Sequence, residues 1–416
     1  MMFKEKAVKG LICLVVIGML ASSGWTIAKK VTQGTETKDS GTQTVEPTLI
    51  MEYKFDEPIT DVIFDEATMT VKEARTLGMK GLEKRKATET VKVQYPKVLV
   101  TEKAVRFLDE KGRIEREVAL KKENYEELMV SLATGKIIVK GVKGEGENRY
   151  RYLRWIDEKE RTVKIEEGGE VFSVLISENG KYVVSGGEDL SAVEGSPICT
   201  LYDINGNELW RRKTEGDSSE VKILYDGKVL ILEFFIMDKT RITLININGT
   251  KLWEKNLPAT PDYNVLFTND DKIIVYAFEI GKLYAFDKKG NLLWQPFNNS
   301  LHYLSISKNA NYLAGLTSWD HLWAMDINTG KFIWKYPLEG NKPDRYYPDT
   351  IQISSNSKYI LYKLKESLSL LLDGKSGKAL KQIKGGGRFL GTDQIWRIKD
   401  NKIEIFNISD ILKEGN

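Results

Sequence analysis

Cysteine, histidine and proline are all scarce in this chain of 416 residues, which holds 2 Cys and 10 Pro, with His302 and His321 as its 2 His. The two cysteines, Cys13 and Cys199, exclude a disulfide framework and any CxxC zinc or redox site. Two histidines are too few for a multi-histidine metal centre. No GxSxG elbow is present for a hydrolytic triad, and the glycine run at 385–387 is not followed by GK[ST], so no phosphate-binding loop is indicated. An excess of one charge is also missing. The formal net charge is +3, and Lys4, Lys6 and Lys9 against Glu5 supply +2 of it, which leaves a near-neutral body and argues against nucleic acid as a partner.

What is present fits a globular chain: 41% hydrophobic and 29% charged residues, with enough length to bury a large core without covalent staples. Lys4, Lys6 and Lys9 precede an apolar run from Leu11 to Ala21 and the small residues Ser22, Ser23 and Gly24. These are the parts of a secretory signal. The uncharged stretch runs from Gly10 to Ala28, long enough to cross a bilayer if it is kept, so residues 1–28 read as a signal peptide or an N-terminal membrane anchor. Cys13 lies inside the apolar run without the small residues that precede a lipid-modified cysteine. Residues 29–47, rich in Thr, Gly, Ser and charge, read as a flexible polar linker. The expected location is outside the cytoplasmic membrane, periplasmic or otherwise extracytoplasmic.

From there on one turn recurs. The segments LYDINGNELW (201–210), LININGTKLW (244–253), AFDKKGNLLW (285–294) and AMDINTGKFIW (324–334) align at Asp203, Asn246, Asp287 and Asp326. They align again at Gly206, Gly249, Gly290 and Gly330, and at Trp210, Trp253, Trp294 and Trp334. Weaker copies lie at 107–116, 155–164 and 371–380. A repeat of 40–43 residues built from short β-branched runs between turn signals is the mark of propeller blades. The acidic or amide residue accepts hydrogen bonds from N–H groups further along the turn, and the glycine supplies positive φ for a tight hairpin. The Trp, on the outermost strand, is expected to cover the seam to the next blade rather than to stack on a ligand.

Ala324, Asp326, Thr329, Gly330 and Trp334 match the pattern A-x-D-x-x-T-G-x-x-x-W, which resembles the PQQ-like (quinoprotein-type) β-propeller repeat. The resemblance covers nearly all of residues 48–412 and implies an all-β fold. Working outward from the turns gives units near 123–167, 171–214, 218–257, 262–297, 300–338 and 348–384. Another precedes them, interrupted by an insertion near 67–93, and three C-terminal strands follow. The missing fourth strand is LIMEYKFD (49–56). The expectation is therefore an eight-bladed β-propeller of four-stranded antiparallel blades, closed by pairing of N- and C-terminal strands, with seven blades as the alternative count. In the insertion, Thr70 and Glu73 have capping-box spacing and predict a short helix near 71–77, followed by a basic cluster of Lys80, Lys84, Arg85 and Lys86.

In a propeller, alternate connections fall on opposite faces. Here one set is tight, while the other holds the longer segments 141–149, 186–197 and 338–348. Long loops on a rigid frame are the usual seat of recognition. Trp319, Asp320, His321, Arg345, Tyr346 and Tyr347 are the interaction candidates on that face, since Trp, Tyr and Arg anchor interfaces. The resemblance implies two kinds of relative: quinoprotein dehydrogenases, which hold PQQ and calcium in the axial funnel, and non-catalytic exported propellers that bind other proteins. Cys199 lacks the vicinal partner usual in the dehydrogenases. The reading is thus a non-catalytic exported scaffold with a protein partner, no cofactor and no catalytic or metal residue. PQQ–calcium catalysis and small-molecule or glycan binding in the funnel stand as alternatives.

Overall fold

The computed structural model describes residues 44–413 apart from short internal segments, the longest being 80–85, 144–149, 190–195 and 339–349. The signal or anchor segment lies outside the described residues, as do most of the linker and Lys80, Lys84 and Arg85 of the basic cluster. No helix among the described residues is long and apolar enough to cross a membrane.

Eight sheets follow one another along the chain. Each has four strands, a to d from the axis outward, in simple up-and-down order. Blade 1 runs from Asp61 to Ala119, blade 2 from Asn124 to Glu167, blade 3 from Glu170 to Lys213 and blade 4 from Ser218 to Pro258. Blade 5 spans Tyr263 to Trp294, blade 6 Leu301 to Pro337 and blade 7 Ile351 to Lys384. Blade 8 takes Arg388–Leu390, Gln394–Lys399 and Lys402–Asn407 from the C-terminal end, and its outer strand is Leu49–Lys54. That strand pairs antiparallel with Lys402–Asn407, from Leu49 opposite Phe406 to Lys54 opposite Lys402. The ring is eight-bladed and closes with both ends of the chain, as the repeat predicted.

The core is divided among the seams. Eight buried clusters each join one blade to the next, and the cluster of Met51, Val62, Leu99, Trp396 and Ile405 joins blade 8 to blade 1. Middle strands are buried on both faces, so they read as continuous apolar runs. In Ile273–Ala277 of blade 5 every residue is buried. Ile273, Val275 and Ala277 pack toward blade 4, while Ile274 and Tyr276 pack toward blade 6. The period-2 geometry of a strand thereby feeds two seams at once.

The repeated turn behaves as its chemistry dictates. Asp203 Oδ1 accepts from the N–H groups of Asn205 and Asn207 at 2.8 and 2.9 Å, and Asp287 Oδ1 accepts from Lys289 and Asn291 at 2.8 Å each. Asn246 does the same for Asn248 and Thr250. In the Thr-containing turn the glycine comes one residue later, and Asp326 accepts from Asn328 N, Thr329 N and the Thr329 hydroxyl. Gly290 has φ +80°, and a Cβ there would lie 2.8 Å from the Trp253 ring. Gly249, Gly330 and Gly377 stand in the same relation to Trp210, Trp294 and Trp334. Each Trp therefore lies flat on the turn glycine of the following blade, which is the seam-covering role expected of it. The indole N–H groups of Trp253, Trp294 and Trp334 donate to the carbonyls of Lys288, Ile327 and Gly374 at 3.1, 2.9 and 2.8 Å. At the closing seam Tyr53 takes the place of the Trp, its ring 3.4 Å from a Cβ built on Gly112.

Two features differ from expectation. The segment 67–93 is less an inserted loop than a lengthened hairpin. Strands a and b of blade 1 run Asp61–Thr70 and Thr90–Val100 and stay paired out to Thr70 opposite Thr90. The expected helix is there as α1 (Val71–Thr76), with Val71 and Ala74 fully buried in the cluster that joins blades 8 and 1. Second, Thr44 and Val45, inside the segment read as linker, pair in parallel with strand d of blade 7 opposite Gln382 and Ile383. The Thr44 hydroxyl donates to Gln382 Oε1 at 2.8 Å. A C-terminal helix, α2 (Ile408–Lys413), buries Ile408 and Ile411 against the seam of blades 7 and 8.

Candidate functional site

The b–c connections and the links between blades share one face of the ring, and the a–b and c–d turns share the other. On the first face the strands reach further than the sequence suggested. Strand b of blade 2 continues to Lys143 and strand c begins at Tyr150; in blade 3 the corresponding ends are Asp189 and Ser196. The intervening loops 144–149 and 190–195, and 339–349 between blades 6 and 7, lie outside the described residues. So do Trp319, Asp320, Arg345, Tyr346 and Tyr347. His321 is described: it is exposed and opens strand c of blade 6 on this face, opposite Thr317 and Pro337.

Sequence reasoning missed the charge pairs near this face. In blade 4, Arg241 faces Glu233 across the ladder. Its Nε and Nη2 donate to the two Glu233 carboxylate oxygens at 2.7 Å each, and Nη1 donates to Glu215 at 2.9 Å. Glu233 is 5% exposed, so this two-pronged pair works where water screens little. The Glu233 and Glu215 carboxylates hold the Arg241 guanidinium above its ordinary pKa. Hydrogen bonding by Arg241 holds the Glu215 carboxyl below its ordinary value. The guanidinium also lies 5.0 Å from the Phe235 ring centre. The same device recurs near this face in three more blades. Arg397 meets Glu404 at 2.5 Å in blade 8, Arg106 meets Glu117 at 2.6 Å in blade 1, and Lys140, 4% exposed, lies 3.4 Å from Glu127 in blade 2. The signal for the Arg–Glu pairs was available only once the register was known, because Glu233–Arg241, Arg397–Glu404 and Arg106–Glu117 are cross-strand partners. Paired charges tie neighbouring strands together near this face.

Cys199 is fully buried in the seam between blades 3 and 4, and that burial pushes its thiol pKa up, so it behaves as a small apolar residue.

Comparison with known proteins agrees with this geometry. A family model described as outer membrane protein assembly factor BamB, of the PQQ-like repeat type, matches residues 167–347. Residues 167–347 thus match the PQQ-like repeat, and the chain folds as a β-propeller. BamB from Moraxella catarrhalis is similar in structure at TM-score 0.50 and 13% identity, over 87% of this chain and 99% of that one. A eukaryotic initiation factor aligns at TM-score 0.55 and 13% identity, over 75% and 82% of the two chains. The computationally designed Ika8 protein aligns at 0.51 and 14%, over 76% and 94%. At these identities the likeness is one of fold. No curated protein matches the sequence. The matched stretch 167–347 covers blades 3 to 6, the part of this PQQ-like-repeat propeller in which the Asp/Asn–Gly–Trp turn is most regular.

Proposed function

We propose that this PQQ-like-repeat propeller is an exported, non-catalytic scaffold that binds a protein partner through its long-loop face. The observation that carries the reading is the asymmetry between the two faces. On one, the c–d turns are short and held by an Asp or Asn capping its own turn. On the other, segments of six or more residues join strands b and c of blades 2 and 3 and link blade 6 to blade 7, and the Lys140–Glu127 pair ties strands a and b of blade 2 below one of them. Fixed loop feet reduce the entropy lost when a loop is ordered on a partner. A described relative that is an outer membrane protein assembly factor supports an assembly role of this kind.

The test is crosslinking in intact cells followed by mass spectrometry, repeated with 144–149, 190–195 and 341–349 replaced by Gly/Ser segments of equal length. Crosslinks to extracytoplasmic proteins that disappear with the loops are expected. Crosslinks to cytosolic proteins alone, or crosslinks that survive the replacement, overturn the reading.

A further inference from the structure

The tight-turn face has a composition of its own. Among the described residues, every large hydrophobic side chain that is exposed lies in one of its turns or in the first two residues of the outer strand that follows. They thicken into a patch on blades 5 and 6, where Leu292 and Leu293 are 52% and 42% exposed and Phe332 and Ile333 are both 37% exposed. The positions are those just before Trp294 and Trp334. The Trp turns into the seam, and its predecessors are left on the rim.

Around these apolar residues the c–d turns of blades 5, 6 and 7 hold five lysines: Lys288, Lys289, Lys331, Lys375 and Lys378. Their only carboxylates are Asp287, Asp326 and Asp373, each engaged by N–H groups of its own turn. Lys335 extends the cationic edge, its ammonium 4.3 Å from the Phe332 ring centre. An apolar patch ringed by ammonium groups matches the interfacial zone of an anionic bilayer, where hydrocarbon and negative headgroups meet.

The path of the chain supplies an independent argument. Strand d of blade 7 leaves the tight-turn face at Ala379 and runs toward the long-loop face. Thr44–Val45 lies parallel to it. Thr44 is thus the end of this strand nearer the tight-turn face, at the blade next to the patch. Only 15 residues, 29–43, separate this strand from the uncharged stretch that ends at Ala28, a reach of about 50 Å at roughly 3.3 Å per residue.

We infer that the tight-turn rim of blades 5 to 7 docks on an anionic lipid surface, which leaves the long-loop face turned away from the membrane toward its partner. This rests on the extracytoplasmic reading above for the direction of the membrane, while the patch itself stands on its own residues.

The experiment mixes the full chain with vesicles of phosphatidylcholine alone or with added phosphatidylglycerol. Flotation on the neutral vesicles reports whether residues 10–28 insert. Lysine acetylation, read peptide by peptide, reports the face. We expect acetylation of Lys288, Lys289 and Lys331 to fall several-fold on the anionic vesicles, while Lys103, exposed on the long-loop face, is unchanged. About 1 M salt should restore it, because the screening length there is only about 3 Å. The double variant L293D/F332D should lose the protection, and L292D/L293D, which leaves the Phe332 contact with Trp323 intact, should lose it too. Acetylation equal on both vesicle types, or protection untouched by L293D/F332D, overturns the inference. Protection found in cells but absent on vesicles overturns it in favour of a protein occupant. Failure to float on neutral vesicles with protection retained on anionic ones removes the anchor and keeps the docking face.

Discussion

Trp253 and Trp210 occupy equivalent places in neighbouring blades, yet only one has its indole N–H satisfied. Trp253 donates to Lys288 O, whereas the Trp210 Nε1 is buried without a hydrogen-bond partner among the described residues. A made hydrogen bond is worth about 1 kcal/mol net, and an orphaned donor already costs about that much. W253F should therefore destabilise by about 1 kcal/mol more than W210F, measured by urea unfolding of the two variants side by side. G290A is expected to be worse than either, because it combines a positive φ with a Cβ 2.8 Å from the Trp253 ring. The turn carboxylates make a pH prediction. The Ser376 hydroxyl holds the Asp373 carboxyl below its ordinary range, with burial opposing and the backbone N–H of Ser376 assisting. A folded pKa below the unfolded one means that the unfolded chain takes up the proton first. The stabilisation is present above the ordinary carboxyl pKa of about 4 and is lost as pH falls through the lower folded value. D373N should flatten the acid limb of a melting-temperature profile and change little at neutral pH. The Asn246 turn, built on an amide, already lacks this dependence at its capping residue.

At the scale of strands and turns, the closing strand Leu49–Lys54 carries a comparable test. Tyr53 covers Gly112 as the Trp residues cover their glycines, but its hydroxyl is buried with no partner among the described residues, and burial raises its pKa to about 12. Y53F keeps the ring and removes the orphan, so thermal melting should show stability unchanged or raised by up to about 1 kcal/mol. This strand was legible in the sequence because three C-terminal strands lacked a fourth and LIMEYKFD had no other sheet to join. The blades were legible because each turn punctuates the chain with the same residues, and even the weak second copy forms four strands. Elements too short to leave a periodic trace were not legible: Thr44–Val45 is two residues long, and the six residues of α2 follow a strand without a break. The lengthened hairpin of blade 1 was masked by its own alternation, since a strand pair reaching beyond the seam has no continuous apolar run to announce it. The charge pairs near the long-loop face were invisible for a different reason. Glu233 and Arg241 are eight positions apart, a spacing with no local meaning until the hairpin register is known.

The eight seams of the whole molecule are mutually dependent in a way that no single blade reveals. Opening one seam of a closed ring forces strain or a second opening elsewhere, whereas in an open arc a single seam can hinge alone. Cys199 reports on this, because it is fully buried between blades 3 and 4, three seams round the ring from the closure between blades 8 and 1. In the intact protein its thiol should resist alkylation for as long as the ring stays closed. The substitution Met51→Asp places a carboxylate in the closing seam, where Met51 is 3% exposed, and weakens that one junction. If closure makes the seams interdependent, M51D should speed alkylation of the Cys199 peptide by more than about tenfold under conditions where circular dichroism still shows the native strand content. The Cys13 peptide, resolved separately by mass spectrometry, serves as the internal reference. An unchanged Cys199 rate in a folded M51D protein would mean that each seam holds by its own packing. The pairing of the chain's two ends would then guard only the edge of blade 8, rather than the rigidity with which the ring presents both of its faces.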